Sequence, residues 1–391
     1  MSLWNRREIK FWDANDYIAR GTAARTGSAA TRVNSDTALR NSAVWACLRL
    51  RADLVSTFPV DVYRKVGGIR VEVPAPAFFV TPGGPEVDWC EWAYSSQVDL
   101  DRLGNTVGLI TARDSYGLPA RVDLWAASGA TALVRDGEFW GWRYRGVEYP
   151  KSDVWHEKQY TVAGCHVGLS PIAYAAWTLG EYASIQEFAL DWFGAGAVPS
   201  GTLKNTEKVV PGDTAKEIKR EFKSTVRSGD VFVHGKDWEY SLIKAEMETS
   251  NWLEAKAAGM VDVARFLGVP ADLVDAALSG QSITYANMSQ RNLQFLIMNL
   301  APALTRRENT FSRRLLARPR FLKFNTAALL RMDPAAQAVM LGEQIKTRQI
   351  APSEARALMD RLPYTDEQLA EFDRLFGKPQ MSPDKTSPVK A

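Results

Sequence analysis

The sequence predicts an α+β chain: a mixed α/β region, two long helices bracketing a small α/β unit, then a further long helix and a helical end. Three observations predict it. Residues 37–168 mix two helix-like runs with short runs alternating in the strand manner. From Ser170 onward the apolar residues recur every three or four positions. Residues 197–247 interrupt that helical texture with short strand-like runs around one amphipathic helix.

The elements follow in order. Gly21 to Asp36 is Gly, Ala, Ser, Thr and Arg without period, so residues 1–36 are expected to be a flexible arm. Ser42 to Ser56 carries Val44, Cys47, Leu48, Leu54 and Val55 near helical spacing, and "FPVDVYRK" then alternates as a strand. Asp88 to Leu103 is the second helix, followed by hairpin-like strands with turns at Tyr116-Gly117 and Leu118-Pro119. Trp140, Trp142 and Tyr144 alternate and are expected on one face. Ser170 can cap a helix and Pro171 fits its first turn. Ile172, Ala176, Leu179, Tyr182, Ile185, Ala189 and Trp192 continue it to Gly194. The inserted unit has strands at "VPSGTLK", "GDVFVHG" and "WEYSLIK" and a helix from Asp213 to Arg227. Residues 250–267 are helical and end at Gly268 and Pro270. Thr284 to Leu316 is a long helix with Pro302 mid-way, where a lost ladder bond and a steric clash predict a kink. "RFLKFNTAALLRMD" reads as strand and turn. Helices then open at Asp333-Pro334, at Ser353 and at Thr365, whose Gln368 completes a capping box. Residues 377–391 are expected to be a disordered tail.

Composition narrows the function. The 391 residues suffice for two or three domains, and 46% hydrophobic with 24% charged residues is ordinary for a globular protein. No apolar run approaches the roughly 20 residues of a membrane span, and Met1 to Lys10 lacks a signal-peptide core. The expectation is a cytosolic chain with no membrane partner. Cys47, Cys90 and Cys165 are odd in number and far apart, so no disulfide framework or zinc site is indicated, and no cofactor is expected. With 48 basic against 45 acidic residues, a tight sequence-independent DNA binder is disfavoured, but weak sliding contact with a polyanion is not.

Four stretches, in order, carry a resemblance. They are "SDTALRNSAVWACLRLRADLVSTFPVDVYRK" (35–65), "LGNTVGLITARDSYGLPARVDLW" with "SDVWHEKQY" (103–160), "GLSPIAYAAWTLGEYASIQEFALDWFGAGAVPSGTLK" (168–204) and "VARFLGVPADLVDAALSGQSITYANMSQRNLQFLIMNLAPAL" (263–304), with "SEARALM" (353–359) near the end. The chain resembles portal proteins of tailed bacteriophages, of the siphophage type. The resemblance implies a wing at 37–168, stem helices at 169–196 and 250–268, a clip at 197–249 and a tunnel loop at 269–283. It further implies a long kinked helix with a return strand to the wing at 284–333, and a helical crown at 334–376. It implies a homo-oligomeric ring, dodecameric, at one capsid vertex. The ring would pass double-stranded DNA without sequence specificity and dock the terminase large subunit and the head-tail adaptor. It would also meet the major capsid protein, in the virion and in the host cytoplasm during assembly.

Within that frame the loop residues Ala276, Ala277, Ser279, Gly280, Gln281 and Ser282 would face DNA. Small neutral side chains neither bind phosphates, which would brake a sliding duplex, nor repel them. Lys204, Lys208, Lys216, Lys219, Arg220 and Lys223 would face the terminase. Arg306, Arg307, Arg313, Arg314, Arg318 and Arg320 crowd the end of the long helix against only Glu308, and Arg306, Arg307, Arg313 and Arg314 are candidates for subunit contact ahead of DNA contact. Chemistry that would make the chain an enzyme is not legible. No Gly-x-x-x-x-Gly-Lys-Ser/Thr loop exists; "HGKDW" (234–238) has Asp237 where the hydroxyl belongs. His156 reads as a satisfied structural histidine, Cys165 and His166 are adjacent and poorly placed as nucleophile and base, and Asp88 with Glu91 reads as an exposed helix face rather than a glycosidase pair. The rival readings are a hydrolase acting on a polymer through a Trp-rich cleft and another structural phage ring such as a tail-hub component.

Overall fold

The computed structural model describes residues 6–10, 36–194, 201–206, 210–228, 237–242, 249–274, 285–326, 334–359 and 361–376. It separates into two units, residues 1–324 and 325–391. The first helix, α1 (Ser42–Thr57), starts where Asn41 Oδ1 accepts the backbone N–H groups of Ala43 and Val44 at 2.9 and 3.3 Å. The second, α2 (Trp89–Leu103), is capped by Asp88, which accepts from Glu91 N at 2.8 Å, and stops at Gly104 in the left-handed region (φ 69°). Asp88 is therefore a helix cap.

All sheets are antiparallel. Strands β2 (Val60–Val66) and β3 (Ile69–Val73) form a hairpin, and β12 (Arg320–Phe324) returns from far along the chain to pair with β2, giving the order β12-β2-β3. β4 (Asn105–Arg113) lies between β5 (Pro119–Leu124) and β9 (Val154–Lys158). The remaining large sheet is β1-β6-β7-β8, with β6 at Thr131–Arg135, β7 at Glu138–Tyr144 and β8 at Val147–Pro150. Its edge strand β1 is Arg6–Lys10, paired with β6 from Arg6 against Arg135 to Lys10 against Thr131. This corrects the expectation of a wholly flexible arm over residues 1–36: its period was too short to read, but five residues suffice for a sheet edge.

A register shift also corrects the expected face of Trp140. β7 skips it between the pairs Leu133–Gly141 and Val134–Phe139. The bulge turns Phe139 to the cluster holding Trp142 and Tyr144. Trp140 instead carries the Arg135 guanidinium at 3.7 Å.

The expected helix from Ser170 is a short α3 (Pro171–Tyr174) and a long α4 (Ala176–Gly194), separated by Ala175 at φ −77°, ψ −2°. Ser170 caps it as read, accepting from Ala173 N at 3.1 Å, and its own hydroxyl donates to Arg102 O at 2.9 Å. In the inserted unit, β10 (Gly201–Asn205) pairs with β11 (Trp238–Leu242), and α5 (Gly212–Ser228) lies between them in sequence. The predicted strand "GDVFVHG" lies outside the described residues. α6 (Thr249–Phe266) then returns alongside α4. A core of Val44, Cys47, Leu48, Ile172, Leu179, Val263, Ala264, Leu267 and Phe295 joins α1, the α3–α4 pair, α6 and the long helix.

The second unit holds α9 (Pro334–Lys346), α10 (Pro352–Leu358) and α11 (Asp366–Phe376). The capping box at Thr365 and Gln368 forms in both directions, at 3.3 and 3.2 Å. α10 begins one residue before the Ser353 expected to open it, because Pro352 takes the first position and Glu354 accepts Ala351 N at 2.7 Å.

α4 and α6 approach closely at Gly259: a Cβ there would lie 2.7 Å from Tyr182 Cδ2. Tyr182 is buried, so its ring cannot swing into solvent. Gly259→Ala is expected to destabilise the chain by about 1–3 kcal/mol through overpacking. In the Tyr182→Leu background the same substitution should cost far less. Urea unfolding of the four proteins in that cycle measures the coupling.

Candidate functional site

The segment expected to face DNA is anchored on both sides by described residues. α6 ends at Gly268 (φ 65°), with Val269 N bonded to Ala264 O at 2.9 Å. The short turn Ala271–Val274 packs Ala271, Leu273 and Val274 on the shared core. Asp272 then accepts from Arg291 at 2.7 Å, tying the chain before the loop to α7 (Tyr285–Gln294) after it. Ala276, Ala277, Ser279, Gly280, Gln281 and Ser282 themselves lie outside the described residues.

At Pro302 the expected single kinked helix is three pieces. α7 runs into a π-helical turn, Phe295–Leu300, and α8 (Ala301–Arg314) restarts with Pro302 in its first turn. Proline has no N–H to donate to the carbonyl four residues back, that of Met298. Met298 lies within the widened turn, and Ala301 N donates five residues back, to Leu296 O. The proline marked the place of the irregularity; nothing in the sequence distinguished a π turn from a bend.

The arginines at the end of α8 do not act together. Arg306 and Arg313 are exposed. Arg307 is 0% exposed and is committed inside its own subunit, correcting its candidacy for an outer contact. It donates to Glu157 Oε1 at 2.9 Å, Gln97 Oε1 at 3.0 Å and Ser96 Oγ at 2.7 Å. Arg314 likewise turns inward, donating to His156 O at 2.7 Å and Val154 O at 3.3 Å, with its guanidinium 4.6 Å from the Trp155 ring centre. The helical period explains the division. Arg307 and Arg314 lie seven residues apart, two turns along one face, the face that also buries Ala303, Leu304 and Phe311.

The Arg307 contacts belong to a longer buried chain. Gln97 Nε2 donates to Asp101 Oδ2 at 2.8 Å, and Asp101 takes both Arg51 Nε and Nη2, at 2.9 and 3.0 Å. Burial disfavours the Arg51 charge, but the Asp101 carboxylate beside it outweighs that and raises its pKa. Burial raises the Glu157 pKa, against the opposing pull of Arg307. Next to this chain, His156 Nε2 contacts Asn105 Oδ1 at 3.0 Å and its ring meets Trp142 edge-on at 4.7 Å. Burial, with Lys158 and Arg314 nearby, pushes its pKa down to about 3. His156 is a neutral structural histidine, as read. Asn105 also accepts Gly168 N at 2.7 Å and donates to Gly168 O at 2.8 Å, locking the chain just before α3.

Among the described residues several tryptophans form a core, while Trp45 is exposed. Trp92, Trp142 and Trp155 are almost wholly buried. Phe78, Phe79, Trp89, Trp92, Trp155, Phe311 and Phe324 pack ring against ring with centroids 5.3–6.5 Å apart. In the inserted unit Lys204, Lys216, Lys219 and Arg220 are exposed. Lys216 pairs with Asp213 at 3.1 Å and Arg220 with Glu217 at 3.8 Å. Lys223 shares their helix, and Lys208 lies outside the described residues. Among the described residues no group of three or more His, Cys, Asp or Glu could hold a metal ion, and no helix is long and apolar enough to cross a membrane.

This architecture, a β-rich region braced by a long broken helix and a helix pair bracketing a small α/β unit, defines a structural subunit. The family model for phage portal proteins matches residues 42–360, and the chain belongs to that family. It is 26% identical over 397 residues to the probable portal protein of Streptomyces phage phiC31, an alignment covering 92% of this chain and 82% of the relative. Its fold is similar to an HK97-family phage portal protein from Corynebacterium diphtheriae, with TM-score 0.59, 19% identity, and 77% of this chain and 98% of that one covered. It is also similar to a chain in the neck of a native gene transfer agent particle computed with C12 symmetry, with TM-score 0.56, 18% identity, and 89% and 99% covered.

Two outcomes follow from the buried charges. Arg307→Met should destabilise the subunit by roughly 3–5 kcal/mol, because Glu157 is left buried without its counter-charge. Arg307→Met with Glu157→Leu should recover most of that loss in urea titrations. For His156 the folded pKa near 3 lies below the ordinary 6.5, so its contribution is whole above about pH 6.5 and is lost as pH falls, when only the unfolded chain takes the proton. Asp99 acts the other way: burial lifts its pKa to about 6 against the pull of Arg102, so ionising it costs stability as pH rises from 3.8 toward 6. In thermal melts from pH 8 to pH 4, the difference between parent and His156→Gln isolates the histidine. That difference should be flat above pH 6.5 and move in the variant's favour below it.

Proposed function

We propose that twelve copies of this chain close into a ring at one capsid vertex, which conducts double-stranded DNA inward during packaging and outward during ejection. The observation that carries the reading is the pairing of α4 with α6 through Tyr182 and Gly259, with a small α/β unit inserted between them and a tethered loop directly after. Such a hairpin presents one unit at its tip and one loop at its base. Repeated around an axis, the tips make a collar for docking and the loops line a bore. The family match over residues 42–360 supports the assignment, and the C12 symmetry of the gene-transfer-agent neck supports twelve as the ring size.

In this reading residues 37–168 with β12 are the wing beside the major capsid protein. Residues 197–249 are the clip, where Lys204, Lys216, Lys219 and Arg220 face first the terminase large subunit and later the head-tail adaptor. Residues 334–376 are the crown. The chain does no covalent chemistry, and the packaging motor is a separate ATPase. It resides in the virion after assembling in the host cytoplasm. Burial of Trp92, Trp142 and Trp155 supports this reading over that of a polymer hydrolase with a Trp-lined cleft.

The loop supplies the test. Ser279→Lys with Gln281→Lys adds two cations per subunit, each able to release about one counterion from a phosphate. Rings of parent and variant, checked by negative-stain imaging for a central hole, are compared for DNA packaged into procapsids over time. Slowed or stalled packaging by intact variant rings is the expected result. Equal packaging would take the loop away from the DNA path, and the absence of rings from the parent would sink the whole assignment.

A further inference from the structure

The β2–β3 hairpin extends beyond its packed base. Val62 and Leu322 are buried, whereas residues 64–72 are exposed throughout, around a turn of two glycines at φ 57° and 86°. That far end is basic in an unusual way. Register places Arg320 directly opposite Arg64, and Lys65 directly opposite Arg70. Like charges facing each other across strands are destabilising. The two pairs hold successive register positions and so lie on opposite faces of the sheet; with Arg318 just before the strand they place five cations at one end of it. Among the described residues none of the five is ion-paired with a carboxylate. Lys65 and Arg70 rest instead over aromatic rings, 6.0 Å from Phe321 and 5.8 Å from Tyr63. The ribbon's carboxylates are Asp61, which accepts from the Tyr63 hydroxyl at 3.3 Å, and the exposed Glu72, which lies opposite Tyr63 and two residues from Arg70.

We propose that this sheet end is a second DNA-binding surface, outside the bore, that holds the sugar-phosphate backbone of duplex DNA. Phosphates placed between Arg320 and Arg64 and between Lys65 and Arg70 would turn each like-charge repulsion into a bridge. Guanidinium groups present a planar fork suited to phosphate oxygens. A two-stranded ribbon is also narrow enough to enter a major groove about 12 Å wide, with Arg or Lys flanking it on the phosphates. Backbone contact of this kind carries no sequence preference. It also reconciles a chain of net charge +3 with DNA handling: the basic excess is local, held on one protruding ribbon. The proposal rests on the ring assignment only in calling the surface external.

Covalently closed circular duplex DNA tests it, because a closed circle cannot thread a ring. Full-length rings are titrated with the circle and with linear duplex at several salt concentrations, for the parent and for a variant carrying Arg64→Ser, Lys65→Ser, Arg70→Ser and Arg320→Ser. All four sites are exposed, and an unchanged melting temperature and ring image verify the fold. The parent should bind the circle, and the variant should bind it about tenfold or more weakly, with the salt slope reduced by about 0.9 for each phosphate contact removed. Equal binding of the circle by both proteins, or binding of linear DNA alone, would overturn the external site while leaving the channel assignment standing. Tight binding of polyglutamate with no measurable binding of the circle would assign the surface to an acidic protein and equally overturn it.

Discussion

Everything in the larger unit turns on the buried ion chain from Glu157 through Arg307, Gln97 and Asp101 to Arg51. It joins α1, α2, β9 and α8, elements that are up to 256 residues apart in sequence (307 − 51 = 256). Two guanidinium groups removed from water are costly unless each has a counter-charge and its remaining donors are met. Here each has a carboxylate, and Ser96 and Gln97 take donors that would otherwise be unmet. Apolar residues of similar volume could hold the same elements together with equal or greater stability. What they could not do is fix register. The paired geometry accepts one rotation of α8 about its axis, since a turn of 100° would bring Arg306 or Glu308 to the Glu157 carboxylate in place of Arg307. In a subunit whose α7 and α8 are joined by a π turn rather than a continuous helix, that rotational lock is the constraint the fold requires.

The aromatic layer beside the ion chain complements it. Phe311 follows Arg307 by one turn, touches Phe79, Trp89, Trp92, Trp155 and Phe324, and lies 5.1 Å below the Arg307 guanidinium. The burial of these rings supplies driving force without direction. The charges supply direction with little net driving force. Glu308 extends the lock to the β12-β2-β3 sheet, where it accepts Phe324 N at 3.0 Å. The sheet bearing the exposed basic ribbon is thus rigidly coupled to the long helix, and through Asp272 and Arg291 to the base of the loop.

Legibility in the sequence followed the physics of each feature. Features set by local rules were readable: Ser170 as a cap, the Thr365–Gln368 box, the stop at Gly268, and the amphipathic α5. So was the strand within "RFLKFNTAALLRMD", whose return to the wing was implied by the family resemblance. Features set by distant partners were not. Arg307 and Arg313 look alike in a basic run, and only the 3.6-residue period, applied with Leu304 and Phe311 as the buried markers, would have separated an inward Arg307 from an outward Arg313. The bulge at Trp140 depends on pairing with β6, and β1 is too short to announce itself. The paired cations of the β2–β3 ribbon were invisible for the same reason: Arg320 and Arg64 are neighbours only through strand register.

Division of labour between charge and neutrality gives the molecule its logic. A conduit must hold a polyanion near it without gripping it where it moves. Uniform basicity would fail the second requirement and uniform acidity the first. In this chain the cations of α8 that could have met DNA are partly withdrawn, Arg307 into Glu157 and Arg314 onto backbone carbonyls and the Trp155 face. Lys216 and Arg220 of α5 are matched to carboxylates one turn away. The segment proposed to meet moving DNA is left to Ala, Ser, Gly and Gln. Unmatched positive charge remains on a protruding ribbon, where a static hold would not oppose translocation. The net charge of +3 is then no obstacle to the proposed hold, because 48 basic and 45 acidic residues nearly cancel over the chain while the basic excess on the ribbon is local.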